Sequence, residues 1–289
     1  MEVVRITPRG YCHGVVDAIR IAKRVSDETE GPVYMLGQLV HNTHLTDDLQ
    51  EHGVGLVDSR DRMAGLDQVS SGTVIFTAHG VSPAVREKAE RLGLKAVDAT
   101  CSDVVRTHDL VRRLAGEGYD VVYIGRRDHP EPAGVMGEAP GRVHLVQDAE
   151  DIAALELEGA RVAVTCQTTL SVWDTEALIG AVKERYPEAE VHNEICLATQ
   201  ERQEAAVKAA QDVELVIVVG SPLSSNSNRL VEVVEKLAGT PAHLVDTIED
   251  IRPEWFRGLN RIGVTSGAST PSQLTRQVIQ HLESLQVPA

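Results

Sequence analysis

Aromatic residues are scarce: 2 Trp, 5 Tyr and 2 Phe make up 3 % of 289 positions. Stacking platforms for bases are therefore missing. Basic residues are also in deficit, 28 against 43 acidic, leaving a net charge of −15. Nucleic acid is excluded as the main partner, because phosphate backbones demand a locally dense basic surface. Long apolar runs are lacking too. Stretches such as Val213–Val219 fall far short of the roughly 20 residues that a membrane span needs, so no membrane partner is expected. The opening MEVVRITPRG has no charged-then-apolar signal pattern, which points to the cytoplasm. Cysteine is limited to four residues without a dense framework, the pattern of reduced thiols acting as ligands, nucleophiles or fillers.

What is present is a rhythm of short Val/Ile-rich runs, loops and helical patterns. Expected strands are Val3–Ile6, Val33–Leu36, Thr73–Thr77, Lys95–Asp98, Asp120–Ile124, Val143–Val146, Val162–Thr165, Glu214–Val219, His243–Val245 and Arg261–Thr265. Expected helices are Val15–Glu28, Pro83–Leu92, Asp103–Glu117, Ser171–Tyr186, Ala198–Ala210, Asn228–Ala238 and Ser272–Leu285. Continuous apolar strands alternating with helices indicate an α/β protein with mainly parallel sheets. Ligands in such folds sit at the carboxyl ends of strands. Nearly every chemically capable residue falls in a loop of that kind.

Cys12, Cys101 and Cys196 stand 89 and 95 residues apart, each directly before an expected helix. A helix N-terminus stabilises a thiolate, which favours metal ligation or nucleophilic work. One cysteine per αβ unit suggests three subdomains bringing three thiols to one point. An iron–sulfur cube usually takes four cysteines, so three would leave one iron open as a Lewis acid. Spacing alone still favours the plainer alternative that these cysteines are small buried hydrophobes. Cys166 also closes a strand but breaks the interval and reads as packing.

His41, His79 and His129 follow strands without the helical spacing of a zinc site, and imidazole also serves anionic oxygens. Ser224-Ser-Asn-Ser-Asn228 is a helix start made of hydroxyls and amides, able to donate to a phosphate, and Ser269 before Pro271 repeats the design. Capping accounts for one such residue; five exceed what a cap needs. His129-Pro-Glu131 places an imidazole and a carboxyl two residues apart in a loop, as a proton relay would.

Taken together, Gly10-Tyr-Cys-His-Gly14, Val40-His-Asn42, Thr77-Ala-His-Gly-Val81, Asp98-Ala-Thr-Cys101, His129-Pro-Glu131, Gln167-Thr-Thr-Leu-Ser171, Ile195-Cys196, Ser224-Ser-Asn-Ser-Asn-Arg-Leu230 and Gly267-Ala-Ser269 resemble the 4-hydroxy-3-methylbut-2-enyl diphosphate reductase family over essentially the whole chain. The resemblance implies a trefoil of three αβ subdomains around a central cluster: residues 14–100, 101–194 and 195–289, with strand 1–13 joining the third. It implies a [4Fe–4S] cluster on Cys12, Cys101 and Cys196, the open iron serving the substrate. His41, His79, Ser224, Asn226 and Ser269 would hold the diphosphate, with Ser225 nearby. His129, Glu131 and Thr168 would surround the allylic hydroxyl, Glu131 as proton donor. The family chemistry is a two-electron reductive dehydroxylation to isopentenyl or dimethylallyl diphosphate, with ferredoxin or flavodoxin as electron donor and a monomer or homodimer as the working form. An acidic donor would need a local basic patch, for which the arginines between Arg106 and Arg127 are candidates. An iron–sulfur hydro-lyase or a cluster-based redox sensor are the alternatives, but a sensor needs neither a diphosphate cradle nor a proton relay.

Overall fold

A computed structural model describes residues 1–157 and 161–285. Along the chain run β1 (Glu2–Arg5), α1 (His13–Glu28), β2 (Val33–Leu36), α2 (Thr43–Glu51), β3 (Val54–Val57), α3 (Arg62–Leu66), β4 (Thr73–Phe76), α4 (Pro83–Arg91) and β5 (Lys95–Asp98). Then come α5 (Ser102–Gly116), β6 (Asp120–Ile124), α6 (Pro130–Met136), β7 (Val143–Val146), α7 (Ala149–Ala154), β8 (Val162–Cys166), α8 (Val172–Arg185) and β9 (Glu190–Val191). The last are α9 (Leu197–Ala210), β10 (Leu215–Val219), α10 (Ser225–Val233), β11 (Ala242–Val245), β12 (Arg261–Ser266) and α11 (Ser272–Ser284).

The strands form three four-stranded sheets ordered β3-β2-β4-β5, β7-β6-β8-β9 and β11-β10-β12-β1, and every strand pairing among the described residues is parallel. The class is α/β with three parallel-sheet subdomains, as the strand–helix rhythm predicts. Each sheet has the same plan. Its second strand lies outside the first, the third on the other side, and a fourth beyond that. In the third sheet the fourth place belongs to β1, from the opposite end of the chain.

By compactness the chain divides into two units. One holds Met1–His13, His41–Leu45 and the residues from Leu197 onward; the other holds Gly14–Val40 and Thr46–Cys196. The first unit contains the β1 sheet and the second contains the other two. The strands β4, β6, β8 and β10 are buried at every position, which explains their largely apolar sequences. The fourth strands β1, β5 and β9 are far more exposed. No helix among the described residues is long and apolar enough to cross a membrane.

Besides the short helices α2, α3 and α7, which the sequence reading does not expect, four local features depart from it. β3 is interrupted in pattern by Gly55, yet a Cβ there would lie 2.8 Å from the Tyr34 ring on neighbouring β2, so the glycine makes room for that ring. β9 has only two exposed residues and no apolar signal. His129-Pro-Glu131 is not a loop. His129 is the N-cap of α6, with Pro130 at a position where a proline's missing N–H costs nothing. α10 starts at Ser225 and not at Asn228, because Ser224 caps it by accepting from the Ser227 amide.

Ser227 also seats α10 on its sheet. A Cβ on Gly220 or on Gly267, in the loops after β10 and β12, would collide with the Ser227 hydroxyl. Replacing Gly267 by alanine therefore overpacks this contact and should destabilise the protein by about 1–3 kcal/mol in denaturant unfolding. Adding Ser227→Ala should recover part of that loss, since it removes the colliding oxygen. A loss that Ser227→Ala leaves untouched would mean that the two glycines are not there for helix seating.

Candidate active site

In a parallel sheet, the point where strand order reverses leaves a crevice at the carboxyl ends of two neighbouring strands. Here those strands are the first and third of each sheet: β2 and β4, β6 and β8, β10 and β12. The segments that follow them carry His41 and His79, then His129, Glu131 and Thr168, then Ser224, Ser225, Asn226 and Ser269. The three cysteines obey a different rule. Cys12, Cys101 and Cys196 each follow the fourth strand, β1, β5 and β9, and each directly precedes the next helix or is its N-cap.

In the second unit, Glu131 is 1 % exposed. Its Oε1 accepts from the Thr168 amide at 2.8 Å and from the Tyr123 hydroxyl at 3.4 Å, and the Thr168 hydroxyl donates to Oε2 at 2.9 Å. Burial dominates those bonds and raises the carboxyl pKa to about 7. Tyr123 is itself wholly buried, and burial raises its phenol well above the ordinary value, so it remains a neutral donor. The ring of His129 turns back to accept from the Glu131 amide through Nδ1 at 3.2 Å. The rings of His79 and His129 meet edge to face with centroids 5.0 Å apart. Thr168 also accepts the Cys196 amide on its carbonyl at 3.1 Å, tying the acid to a thiol-bearing turn.

The Cys101 turn is built by its own sheet. The Cys101 amide donates to Ala78 O at 3.1 Å, one residue before His79. Burial pushes the Asp98 carboxyl up, but bonds from Thr100 and the Arg86 guanidinium at 2.6 Å outweigh it and hold the group below its ordinary value. A Cβ on Gly14 would collide with Cys101 Sγ, so only glycine lets α1 cover this thiol. Behind the site, His108 on α5 is buried with Nδ1 2.6 Å from Glu138 Oε1. A Cβ on Gly80 would come within 2.8 Å of its Nε2. His108 therefore packs α5 against the turn that carries His79.

In the first unit, the Ser269 hydroxyl donates to Ser224 Oγ at 3.3 Å and lies 3.4 Å from the carbonyl of His41. Asn226 accepts the Ala268 amide at 2.9 Å, and Ala268 O accepts the Cys12 amide at 3.1 Å. Ser225 Oγ is buried with no hydrogen-bond partner, an orphaned donor at the N-terminus of α10. Helix dipole and hydroxyls together suit an anion.

The four cysteines form no disulfide. Cys12, Cys101 and Cys196 are partly exposed, whereas Cys166 is fully buried in an apolar cluster. Burial pushes the Cys166 thiol up to about 12, and it donates to Asn193 Oδ1 at 3.4 Å. Three contributors escape sequence reading. Tyr123 hides in an apolar strand, Asn193 also accepts the Ile195 amide beside Cys196 at 3.2 Å, and Arg202 is a buried cation. Arg202 donates to Gly10 O at 2.8 Å and so fixes the turn before Cys12. No local pattern sets it apart, because the buried face of α9 also carries Thr199 and Gln203.

Reversal loops bearing a buried proton donor, imidazoles and a hydroxyl-lined helix start define an α/β enzyme suited to an anionic substrate. The model of the LytB protein family matches residues 3–283, and the chain belongs to that family. It is 55 % identical over 290 aligned positions to the 4-hydroxy-3-methylbut-2-enyl diphosphate reductase of Symbiobacterium thermophilum, covering 99 % of this chain and 98 % of that one. The Halalkalibacterium halodurans reductase of the same name is 50 % identical, with 98 % and 91 % covered. The solved structure of the E-1-hydroxy-2-methyl-but-2-enyl-4-diphosphate reductase from Plasmodium falciparum superposes with a TM-score of 0.93 at 33 % identity, over 98 % of this chain and 88 % of the other.

The Thr168 hydroxyl lowers the Glu131 pKa by bonding to the charged form. Thr168→Val removes that bond and keeps the shape, so the Glu131 pKa should rise above 7. Infrared titration of the protonated carboxyl C=O band, assigned through Glu131→Gln, reads the shift directly. A band that titrates at lower pH in the valine variant would contradict the assigned bonding.

Proposed function

We propose that the chain is a cytoplasmic reductase that converts 4-hydroxy-3-methylbut-2-enyl diphosphate to isopentenyl and dimethylallyl diphosphate by reductive dehydroxylation. Its curated relatives bear that name, and a second solved relative, at 34 % identity and a TM-score of 0.68 over 99 % of this chain and 100 % of its own, is titled the terminal enzyme of the non-mevalonate pathway. The observation that carries the reading is Glu131: a buried carboxyl with a pKa of about 7 is a proton donor ready at neutral pH.

The residues fit a [4Fe–4S] cluster on Cys12, Cys101 and Cys196. These three thiols are partly exposed at the ends of fourth strands, and the glycine at 14 leaves space against the Cys101 sulfur. Cys166 is the wrong chemistry, since a thiol with a pKa near 12 resists becoming the thiolate that iron binds. With subdomain limits 14–100, 101–194 and 195–289 with 1–13, each ligand stands at a limit: Cys12 just before residue 14, Cys101 at the start of the second subdomain and Cys196 at the start of the third. When bound, the cluster supplies electrons singly and an iron that accepts an oxygen ligand.

The chain's own groups do the rest. Ser224, Ser225, Asn226 and Ser269, with His41 and His79, bind the diphosphate, and the orphaned Ser225 hydroxyl gains the acceptor that it lacks. His129, Glu131 and Thr168 surround the allylic hydroxyl. A backbone amide can only donate, so Glu131 Oε1 stays an acceptor and the acid proton sits on Oε2. Oε2 then donates to Thr168 Oγ1, whose own proton turns to the departing hydroxyl. The carboxyl recharges from solvent protons and the cycle repeats.

Anaerobic incubation of the cluster-loaded protein with the hydroxylated diphosphate and reduced methyl viologen tests the reading. Isoprenoid diphosphates should appear, and their absence despite an intact cluster would sink it. Glu131→Gln should keep the iron yet lose about 10²–10⁴-fold in turnover. In the parent enzyme turnover should hold below pH 7 and fall as Glu131 loses its proton above it. For the ligands, serine at 12, 101 or 196 should each deplete cluster iron, whereas Cys166→Ser should leave iron content unchanged. Iron loss in the Cys166 variant would mean that the ligand set is misassigned.

A further inference from the structure

Removing a hydroxyl as water takes two electrons and two protons: the C–O bond breaks, a C–H bond forms, and the electrons must come from outside the chain. The expected landing site between Arg106 and Arg127 is a poor one. Arg106 is paired with Asp103 and Glu194, Arg112 with Asp109 and Glu138, Arg113 with Glu117 and Arg127 with Asp151. Those charges cancel locally and leave little field for an acidic visitor.

Another surface of the second unit does better. A cavity of about 520 Å³ opens between α1 and the β5–α5 turn, lined by Gly14, Asp17, Arg20, Arg24, Cys101 and Val105 among others. Its two arginines outnumber its one carboxylate: Arg20 is paired with Asp17 at 2.5 Å, and Arg24 has no ion pair among the described residues. In a chain of net charge −15 this is a local reversal of sign. Val105 in the lining is 39 % exposed, and Val16, one turn before Arg20 on α1, is 44 % exposed. An apolar patch edged by solvated cations is the make-up of a small, short-lived interface. The cavity reaches Cys101, where the side-chain-free Gly14 packs against the sulfur and an Asp103 oxygen lies within 4.8 Å of it. Electron tunnelling falls steeply with distance, so a carrier seated here delivers next to a ligand thiolate.

We propose that this cavity is the docking surface for an acidic one-electron carrier protein, with Arg20 and Arg24 steering it and Val16 and Val105 as its apolar contacts. The proposal rests on the reductase reading and names the face through which that site is reduced. Its charges lie in solvent, so docking should weaken with salt.

The test uses the cluster-loaded full chain and a reduced, acidic [2Fe–2S] ferredoxin as probe. Arg20→Glu with Arg24→Glu should raise the KM for ferredoxin about tenfold or more at low ionic strength, and the difference should shrink at high salt. Turnover driven by methyl viologen, which needs no docking surface, should stay at the parent value. Arg113→Glu, in the paired region, should leave the ferredoxin KM unaltered. An unchanged ferredoxin KM in the double variant, or an equal loss with viologen, overturns the proposal. Calorimetric binding of ferredoxin to parent and double variant needs no turnover: tenfold weaker binding supports the surface, and equal binding rejects it. Failure of the parent enzyme to turn over with viologen would count against the reductase reading alone.

Discussion

Parallel strand pairing is the constraint from which the rest follows. When all strands of a sheet run the same way, every carboxyl end opens on one edge, and the connecting helices begin there with unsatisfied amides. Repeating one strand order three times multiplies that edge without changing its logic. Imidazoles, hydroxyls and the acid come from reversal loops, while thiols come from the turns after the exposed fourth strands. One plan thus sorts proton chemistry and thiol chemistry onto different strands of each sheet.

Glu131 shows what that scaffold must hold in place. A carboxyl with a pKa near 7 in the fold and near 4.5 in the open chain favours folding fully in acid. That contribution disappears as pH rises through about 7, a difference on the order of 3 kcal/mol for a fully buried group. Thr168 and Tyr123 reduce it by bonding to the charged form. The surrounding αβ packing supplies the remainder, and a site on a loose loop could not.

Legibility in the sequence followed the range of the interactions. The strands Val33–Leu36, Lys95–Asp98, Asp120–Ile124 and Val143–Val146 were readable to the residue, because short β-rich runs between turn signals leave a local pattern. β3 and α6 were not: glycine and proline look like breaks unless the Tyr34 ring or a helix first turn is known to need them. The thiol-bearing turns and polar loops stood out by position and residue type. The properties that make them a site did not. Glu131 becomes a neutral-pH acid through burial, which bonds from Thr168, 37 residues away, only partly offset, and nothing local marks Tyr123 or Arg202 as supports of these turns. The arginines between Arg106 and Arg127 show the same limit, since composition counts charges and not partners such as Glu194 and Glu138.

The loan of β1 to the last sheet has a consequence for biosynthesis. Glu2 pairs with Arg261, and the turn around Cys12 is fixed by Ala268. Nearly the whole polypeptide must leave the ribosome before its opening residues find their places. The two sheets of the second unit use strands from continuous stretches of chain and are free to form during translation. The Cys12 turn is therefore the last of the three thiol-bearing turns to take shape, an event of the finished chain and not of the nascent one.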